Sequence, residues 1–390
     1  MVPDASDTKR RLRVLTLVDR LGTSGGGERL AMQVAMRLDR ERFESFYCAS
    51  RWSGEPPEST AGRRAVEELR AAGVRASGLG RSSSAALWAW RPLVRLLRRE
   101  RIDVLHSHKF GSNVWAALLA PLGRVPVLIA HEHTWSYEGQ PLRRLLDREL
   151  IARRSAAFVA VSREDRRRMI EVERIPADAV TFVPNGIDAL PQGDGARVRR
   201  ELGVDADAPL LGAVAVLRPQ KGLDVLIRAV AEAARELPAV RVAIAGEGPE
   251  RGRLEELATE LGVADRVLLL GHRSDVPDLL AAFDVAVSSS WFEGSPLAAL
   301  EYMDAGLPVV ATRVGGMPDL IEDRVHGRLV EPGDPGALAA AIVEVVRDRD
   351  RAAEMGARAR ERRRAEFDLN GTVRALEEMY ERLAAERGRP

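Results

Sequence analysis

The sequence predicts an α/β protein of two doubly wound, Rossmann-like domains facing a cleft, and three observations carry that expectation. Short apolar runs alternate with longer amphipathic stretches throughout, which is the pattern of parallel strands joined by crossover helices. The 390 residues exceed what one ordinary core accommodates, so two domains are expected. A segment without periodicity, DALPQGD at 188–194, separates two sets of such runs.

The first set reads LRVLTLV, FYCAS, IDVLHS, VPVLIAHEH, AAFVAVS and VTFVPN and assigns residues 1–190 to an N-terminal domain. PLLGAVAVL, VRVAIAG, RVLLLG, DVAVSSS and LPVVATRV follow, each with a helical pattern after it, and assign 191–368 to a C-terminal domain. The stretches from Pro335 onward are rich in Arg, Glu and Ala and are expected outside the sheets, with a last helix at 369–390 packing back toward the first domain. Ligands of doubly wound folds bind at the carboxyl ends of the strands, so the cleft is the expected site.

Composition narrows the class. Apolar content of 45% and charged content of 30% describe a globular chain. Its longest apolar runs, such as VWAALLAPL and LLGAVAVL, fall short of the roughly 18 residues that cross a bilayer. MVPDASDTKRRLRVL lacks the apolar centre of a secretory signal. The single cysteine, Cys48, excludes an intramolecular disulfide and a thiolate zinc cage. A cytoplasmic location follows, with Cys48 an inert core residue. The net charge of +1 conceals a division: through Leu190 there are 32 Lys and Arg against 23 Asp and Glu, and beyond it 27 against 35. A basic first half suits an anionic acceptor, or peripheral contact with the inner face of a membrane, and equally suits complementary domain faces. No nucleic-acid partner is expected.

Residues 291–319, WFEGSPLAALEYMDAGLPVVATRVGGMPD, read as a loop, a helix, a buried strand and a glycine turn. Ser295 is a helix-capping residue and Pro296 suits a first turn, so Gly294, Ser295, Pro296 and Leu297 should form a start with free backbone N–H groups that attracts an anion. Glu293 lies in the loop just before it. Glu301 lies on the helix, about 7.5 Å along the axis from Pro296. Both glutamates are expected to accept hydrogen bonds from sugar hydroxyls. The same signals also describe an ordinary helix start in which acids favour the dipole.

Other segments carry chemistry of the same kind. In VLRPQKGLDVLI, Arg218 offers a planar fork to a diphosphate and Lys221 a mobile point charge, against the alternative of a solvated loop. In TSGGGERL, Gly25, Gly26 and Gly27 allow close backbone approach to a ligand, although the segment is neither GxGxxG nor a P-loop. His106, His108, His131, His133 and His272 all fall at strand ends. HSH and HEH have the residue types of metal ligands. Alternation along a strand is expected to turn them to opposite faces, so each strand end offers one histidine to the cleft and no metal is held. WAWRPLVRLLRRER at 88–101 reads as an amphipathic surface helix or as a contact with anionic lipid.

Taken in order, GGGERL, VPNGID, VLRPQKGLD, IAGEGPE, LLGHRSDVPDLL and EGSPLAALEYMDAGLPVVATRVGGMPDLI resemble the retaining GT-B glycosyltransferases of glycosyltransferase family 4 over nearly the whole chain. The resemblance implies that Arg218 and Lys221 neutralise the diphosphate of a UDP- or GDP-linked sugar, joined by backbone N–H groups at 295–297. Glu301 would hold the ribose and Glu293 the transferred sugar, with His272 and Arg273 beside the base. Gly26 and Gly27 would close over the phosphate, and His133 would face the donor sugar and acceptor; His131 stands where the family commonly has a small residue. The first domain would be the acceptor side, the acceptor being a glycan, lipid-linked or small-molecule hydroxyl in glycan, glycolipid or glycoconjugate biosynthesis. No metal and no cofactor other than the donor substrate is implied. Two alternatives share these features: an enzyme resembling nucleotide-sugar 2-epimerases, and a non-catalytic nucleotide-sugar-binding protein.

Overall fold

A computed structural model describes residues 10–22, 25–55, 57, 59–82, 87–134 and 140–387. Most of the N-terminal stretch read for a secretory signal, and Thr23 and Ser24 of the glycine-rich loop, lie outside the described residues. The chain divides into two compact units, Met1–Asn185 with Leu369–Pro390, and Gly186–Asp368. The passage between them falls a few residues ahead of the aperiodic DALPQGD segment.

In the first unit seven strands, β1 (Leu12–Val18), β2 (Phe43–Ala49), β3 (Arg75–Gly78), β4 (Val104–His108), β5 (Val127–Glu132), β6 (Ala157–Ala160) and β7 (Val180–Phe182), form one sheet in the order β3-β2-β1-β4-β5-β6-β7. Every pairing is parallel. Such a sheet is covered on both faces, so its strands are apolar on both. Val14, Val104, Val127, Ile129 and Val159 pack with Leu30 and Val34 of the helix Gly26–Arg37 and with Leu376 and Tyr380 of the helix Leu369–Glu386. Their neighbours Leu15, Leu105, Leu128 and Phe158 pack with Leu93, Leu97 and Ala116 on the opposite face. The segment at 88–101 is not one helix: a 3-10 turn at Leu87–Trp90 precedes an α-helix at Arg91–Arg99. Pro92 sits in the first turn of that helix, where its missing N–H has no bond to lose. Cys48 is buried in β2, and burial pushes its thiol up to about 12, which makes it unreactive.

The second unit repeats the plan with β8 (Leu210–Val214), β9 (Arg241–Ala245), β10 (Val267–Gly271), β11 (Val285–Ser288), β12 (Val309–Thr312) and β13 (Gly327–Val330). Their order is β10-β9-β8-β11-β12-β13, again all parallel. Leu211, Ala213, Val285 and Val287 face one core, and Leu210, Ala286, Val309 and Ala311 the other. Gly212 interrupts the run because a Cβ there would lie 1.8 Å from the Phe283 ring.

The helices Leu297–Ala305 and Arg349–Glu366 approach backbone to backbone: a Cβ on Gly356 would lie 1.9 Å from the Gly306 carbonyl oxygen. At this crossing Arg363 Nε lies 3.2 Å from Asp304 Oδ1 with both side chains buried, and Asp304 Oδ2 accepts from the Leu190 N–H at 2.6 Å. Removing one partner of a buried pair strands the other charge. Asp304→Ala is therefore expected to lower the unfolding free energy by about 3–5 kcal/mol, measured by denaturant titration of the full chain, whereas the exposed Glu354→Ala should change it by less than about 0.5 kcal/mol.

Candidate functional site

In each unit the chain runs outward through three strands and then returns to place a fourth beside the first. Connections leave these two adjacent strands toward opposite faces, which opens a crevice at their carboxyl ends. In the second unit the strands concerned are β8 and β11. After β8 the chain passes Arg218, makes a 3-10 turn at Pro219–Lys221, and enters the helix Leu223–Ala233 through Gly222 in the left-handed conformation (φ 56°). Only glycine fits there, because a Cβ would lie 2.2 Å from the Ser289 carbonyl oxygen.

The segment after β11 is fastened to that turn. Trp291 N–H donates to the Gln220 carbonyl (2.9 Å), Gln220 Nε2 donates to the Phe292 carbonyl (3.0 Å) and Ser289 Oγ donates to the Lys221 carbonyl (3.0 Å). The result places Lys221 Nζ 2.6 Å from Glu293 Oε1, which also accepts from Ser290 Oγ at 2.6 Å. Glu293 is buried, and two donors on one oxygen fix its rotamer. From below, the Gly316 N–H donates to the Gly294 carbonyl at 2.6 Å. A Cβ on Gly315 (φ 49°) would lie 1.6 Å from the Glu293 carbonyl oxygen.

The helix start differs by one residue from the reading of the sequence. Pro296, not Ser295, is the residue before the first helical position of the helix Leu297–Ala305. The glycine turn holds residues 293–294, so the chain turns into the helix one residue later. Pro296 itself has no N–H to offer. The first N–H groups of such a helix start carry a partial positive charge. Glu301, one turn into the helix, is buried, and next to it the Tyr302 hydroxyl accepts from the Val214 N–H at 2.7 Å, tying the helix to β8.

Arg218 is exposed and pairs with no acid among the described residues. His272 is also exposed, its N–H donating to Glu247 at 3.4 Å. Arg273 is committed elsewhere: Nε and Nη2 donate to Asp275 at 2.8 and 2.7 Å, and Nη1 and Nη2 to Glu201.

The first unit corrects the expectation about histidines. Residues two apart on a strand share a face, so His106 and His108 extend the row of Val104, and His131 and His133 extend that of Val127 and Ile129. All four are buried. They form two hydrogen-bonded layers, one joining Tyr380 Oη to His106 Nδ1 (2.6 Å) and His106 Nε2 to His131 Nδ1 (3.1 Å), the other joining His108 Nδ1 to His133 Nε2 (2.9 Å). His106 lies over His108 with ring centroids 4.3 Å apart, and His131 over His133 at 4.4 Å. Ring nitrogens of His106, His108 and His131 lie within 4.8 Å of one another, the donor set that imidazole-binding metals use. The glycine-rich loop sits against this array, for a Cβ on Gly27 would lie 2.8 Å from His133 Cγ. Gly26 begins the helix, and Glu28 in its first turn is paired with Lys109.

Sequence reasoning passed over Ser290, Lys109 and Tyr380. Ser290 was visible as part of the SSS run at a strand end. Lys109 and Tyr380 carry no local signal, because their partners lie far away along the chain.

Burial drives all four imidazoles toward the neutral form, His131 to about 3. Unfolding exposes groups that titrate near 6.5. The unfolded chain therefore binds more protons below that pH, and stability present above about 6.5 is lost as pH falls. Melting temperature of the full chain should drop between pH 7 and 5, each histidine contributing a limiting slope of about 1.4 kcal/mol per pH unit. His131→Asn should flatten the dependence; an unchanged profile would show that the array does not govern it.

Two family models match the chain: Glycosyltransferase Family 4 over residues 24–189 and Glycosyl transferases group 1 over residues 195–362. A D-inositol 3-phosphate glycosyltransferase of Thermobispora bispora is 33% identical over 303 residues, covering 72% of this chain and 70% of the relative. One from Nocardia farcinica is 33% identical over 278 residues, covering 66% of this chain but only 61% of that relative's length. The crystal structure of Anabaena HepE in complex with UDP matches with a TM-score of 0.80 at 25% identity, over 95% of this chain and 100% of that one. With its two halves matched by the two models in turn, and a third of its residues shared with these relatives over the aligned length, the chain belongs to glycosyltransferase family 4.

Proposed function

We propose that this chain is a retaining, metal-independent glycosyltransferase that moves a sugar from a UDP- or GDP-linked donor to an acceptor hydroxyl. The observation that carries the reading is the Lys221–Glu293 pair beside the start of the helix Leu297–Ala305, at the point in the sheet where ligands of such folds bind. Lys221, the exposed Arg218 and the backbone N–H groups about Ser295 and Leu297 would stabilise the charge that develops on the departing diphosphate. Glu293 would accept hydrogen bonds from the transferred sugar and Glu301 from the ribose, with Gly294 and Pro296 shaping the turn between them. His272 and the backbone at Arg273 would stand by the base. In the first unit we assign His133 to the donor sugar and acceptor, and Gly26 and Gly27 to the phosphate. The anomeric carbon loses its bond to the phosphate oxygen and gains one to the acceptor oxygen on the same face, while the departing phosphate takes the hydroxyl proton.

UDP sugars are the first donors to try, since HepE was crystallised with UDP. The basic first half favours a phosphorylated or lipid-linked acceptor, and peripheral contact with an anionic membrane belongs to the same reading. No helix among the described residues is long and apolar enough to cross a bilayer.

Lys221→Ala and Glu293→Ala should each lower transfer by roughly 100-fold or more at near-normal melting temperature, measured as acceptor-dependent release of nucleoside diphosphate. Near-normal turnover in both would sink the assignment. Full activity in a chelator and an unchanged anomeric configuration in the product's NMR spectrum are expected as well. Sedimentation with anionic vesicles should be lost in about 1 M salt, where charges are screened beyond roughly 3 Å; activity that requires added metal, or binding insensitive to salt, would overturn those parts.

A further inference from the structure

Of the four stacked histidines, the proposed function employs only His133, and the geometry gives His108 a task. Each layer has ring nitrogens in hydrogen-bond contact, so one proton lies between each bonded pair and the tautomers of the partners are linked. The His133 Nδ1 atom is buried without a hydrogen-bond partner among the described residues. It lies beneath the glycine-rich loop, 3.1 Å from where a Cβ on Gly27 would be. A buried N–H with no acceptor is the rarer and costlier orphan, compared with an acceptor left unfilled. The proton of neutral His133 therefore belongs on Nε2, donated to His108 Nδ1 across 2.9 Å.

We infer that His108 is a positioning residue for His133: it takes the Nε2–H bond and so fixes the tautomer and ring plane of the imidazole that the proposed function sets by the donor sugar and acceptor, with the bare Nδ1 turned to the glycine-rich loop. This inference rests on the transferase reading for its ligand but not for its tautomer. The second layer supports the first mechanically. His106 and His131 stack on His108 and His133, and His106 is anchored at 2.6 Å to Tyr380.

The test uses the full chain with 15N-labelled histidine. In long-range 1H–15N spectra the ligand-free wild type should show His133 with Nε2 protonated and Nδ1 bare. His108→Leu should give mixed His133 tautomers and a kcat/KM lower by roughly 10- to 100-fold, the size of effect known for partners that orient a functional imidazole. His108→Asn, whose carboxamide oxygen stands near the lost Nδ1, should restore one tautomer and most of the rate. Both variants should melt alike, so a purely packing role would not separate them. A protonated Nδ1 in the wild type, or equal rates in the two variants, would overturn the inference. So would one equivalent of Zn²⁺ or Co²⁺ shifting these ring nitrogens together, which would make the array a metal centre. If the wild type transfers no sugar from any nucleotide sugar, the functional reading fails, and the spectra still decide the tautomer.

Discussion

Everything chemical in this protein follows from the place in each sheet where a later strand returns to lie beside the first. Parallel pairing forces each connection to cross a face of the sheet, and at β1–β4 and β8–β11 the neighbouring connections depart to opposite faces. Backbone is thereby pulled apart at the strand ends, and polar side chains find space in an otherwise apolar layer. Glu293, Lys221, His106 and His108 sit at these two points, with His131 and His133 at the end of the neighbouring β5. A buried acid or imidazole elsewhere in the sheets would face packed valine and leucine and pay the full cost of desolvation.

The second-unit site is held by backbone contacts more than by side chains. Gly222 and Gly315 each take a left-handed conformation with a carbonyl oxygen pressed where a side chain would be. They bring the two strand-end loops within hydrogen-bond reach and set Lys221 against Glu293. Glu293 keeps its position without ligand because Ser290 and Lys221 already satisfy it. Arg218 pairs with no acid among the described residues, so one of the two cations is fixed by an acid and the other is exposed.

Much of this was legible in the chain. The long runs LRVLTLV, VPVLIAHEH and PLLGAVAVL announced the two sheets, and the segment from Glu293 to Glu301 announced the loop and helix that follow β11. What was missed shares a physical cause. β3 and β13 are four residues each, RASG and GRLV, and are strands because a neighbour offers an edge, not through any apolar pattern of their own. The helix begins one residue later than expected because Gly315 and Gly316, some twenty residues on, hold the loop before it. The histidines were misplaced by applying the strand period wrongly: HSH and HEH put two imidazoles on one face, and pairing of β4 with β5 then brought four together.

The return of the helix Leu369–Glu386 to the first unit has a temporal consequence. The second unit is a continuous stretch, 186–368, and has all its residues as soon as that stretch leaves the ribosome. The first unit is discontinuous: its core lacks Leu376 and Tyr380, and His106 lacks its hydroxyl partner, until the last turns of the chain have been made. During synthesis domains tend to fold from the N-terminus onward. Here the N-terminal half has its whole core only once the helix Leu369–Glu386 has been made, and that helix covers the face that carries its histidines.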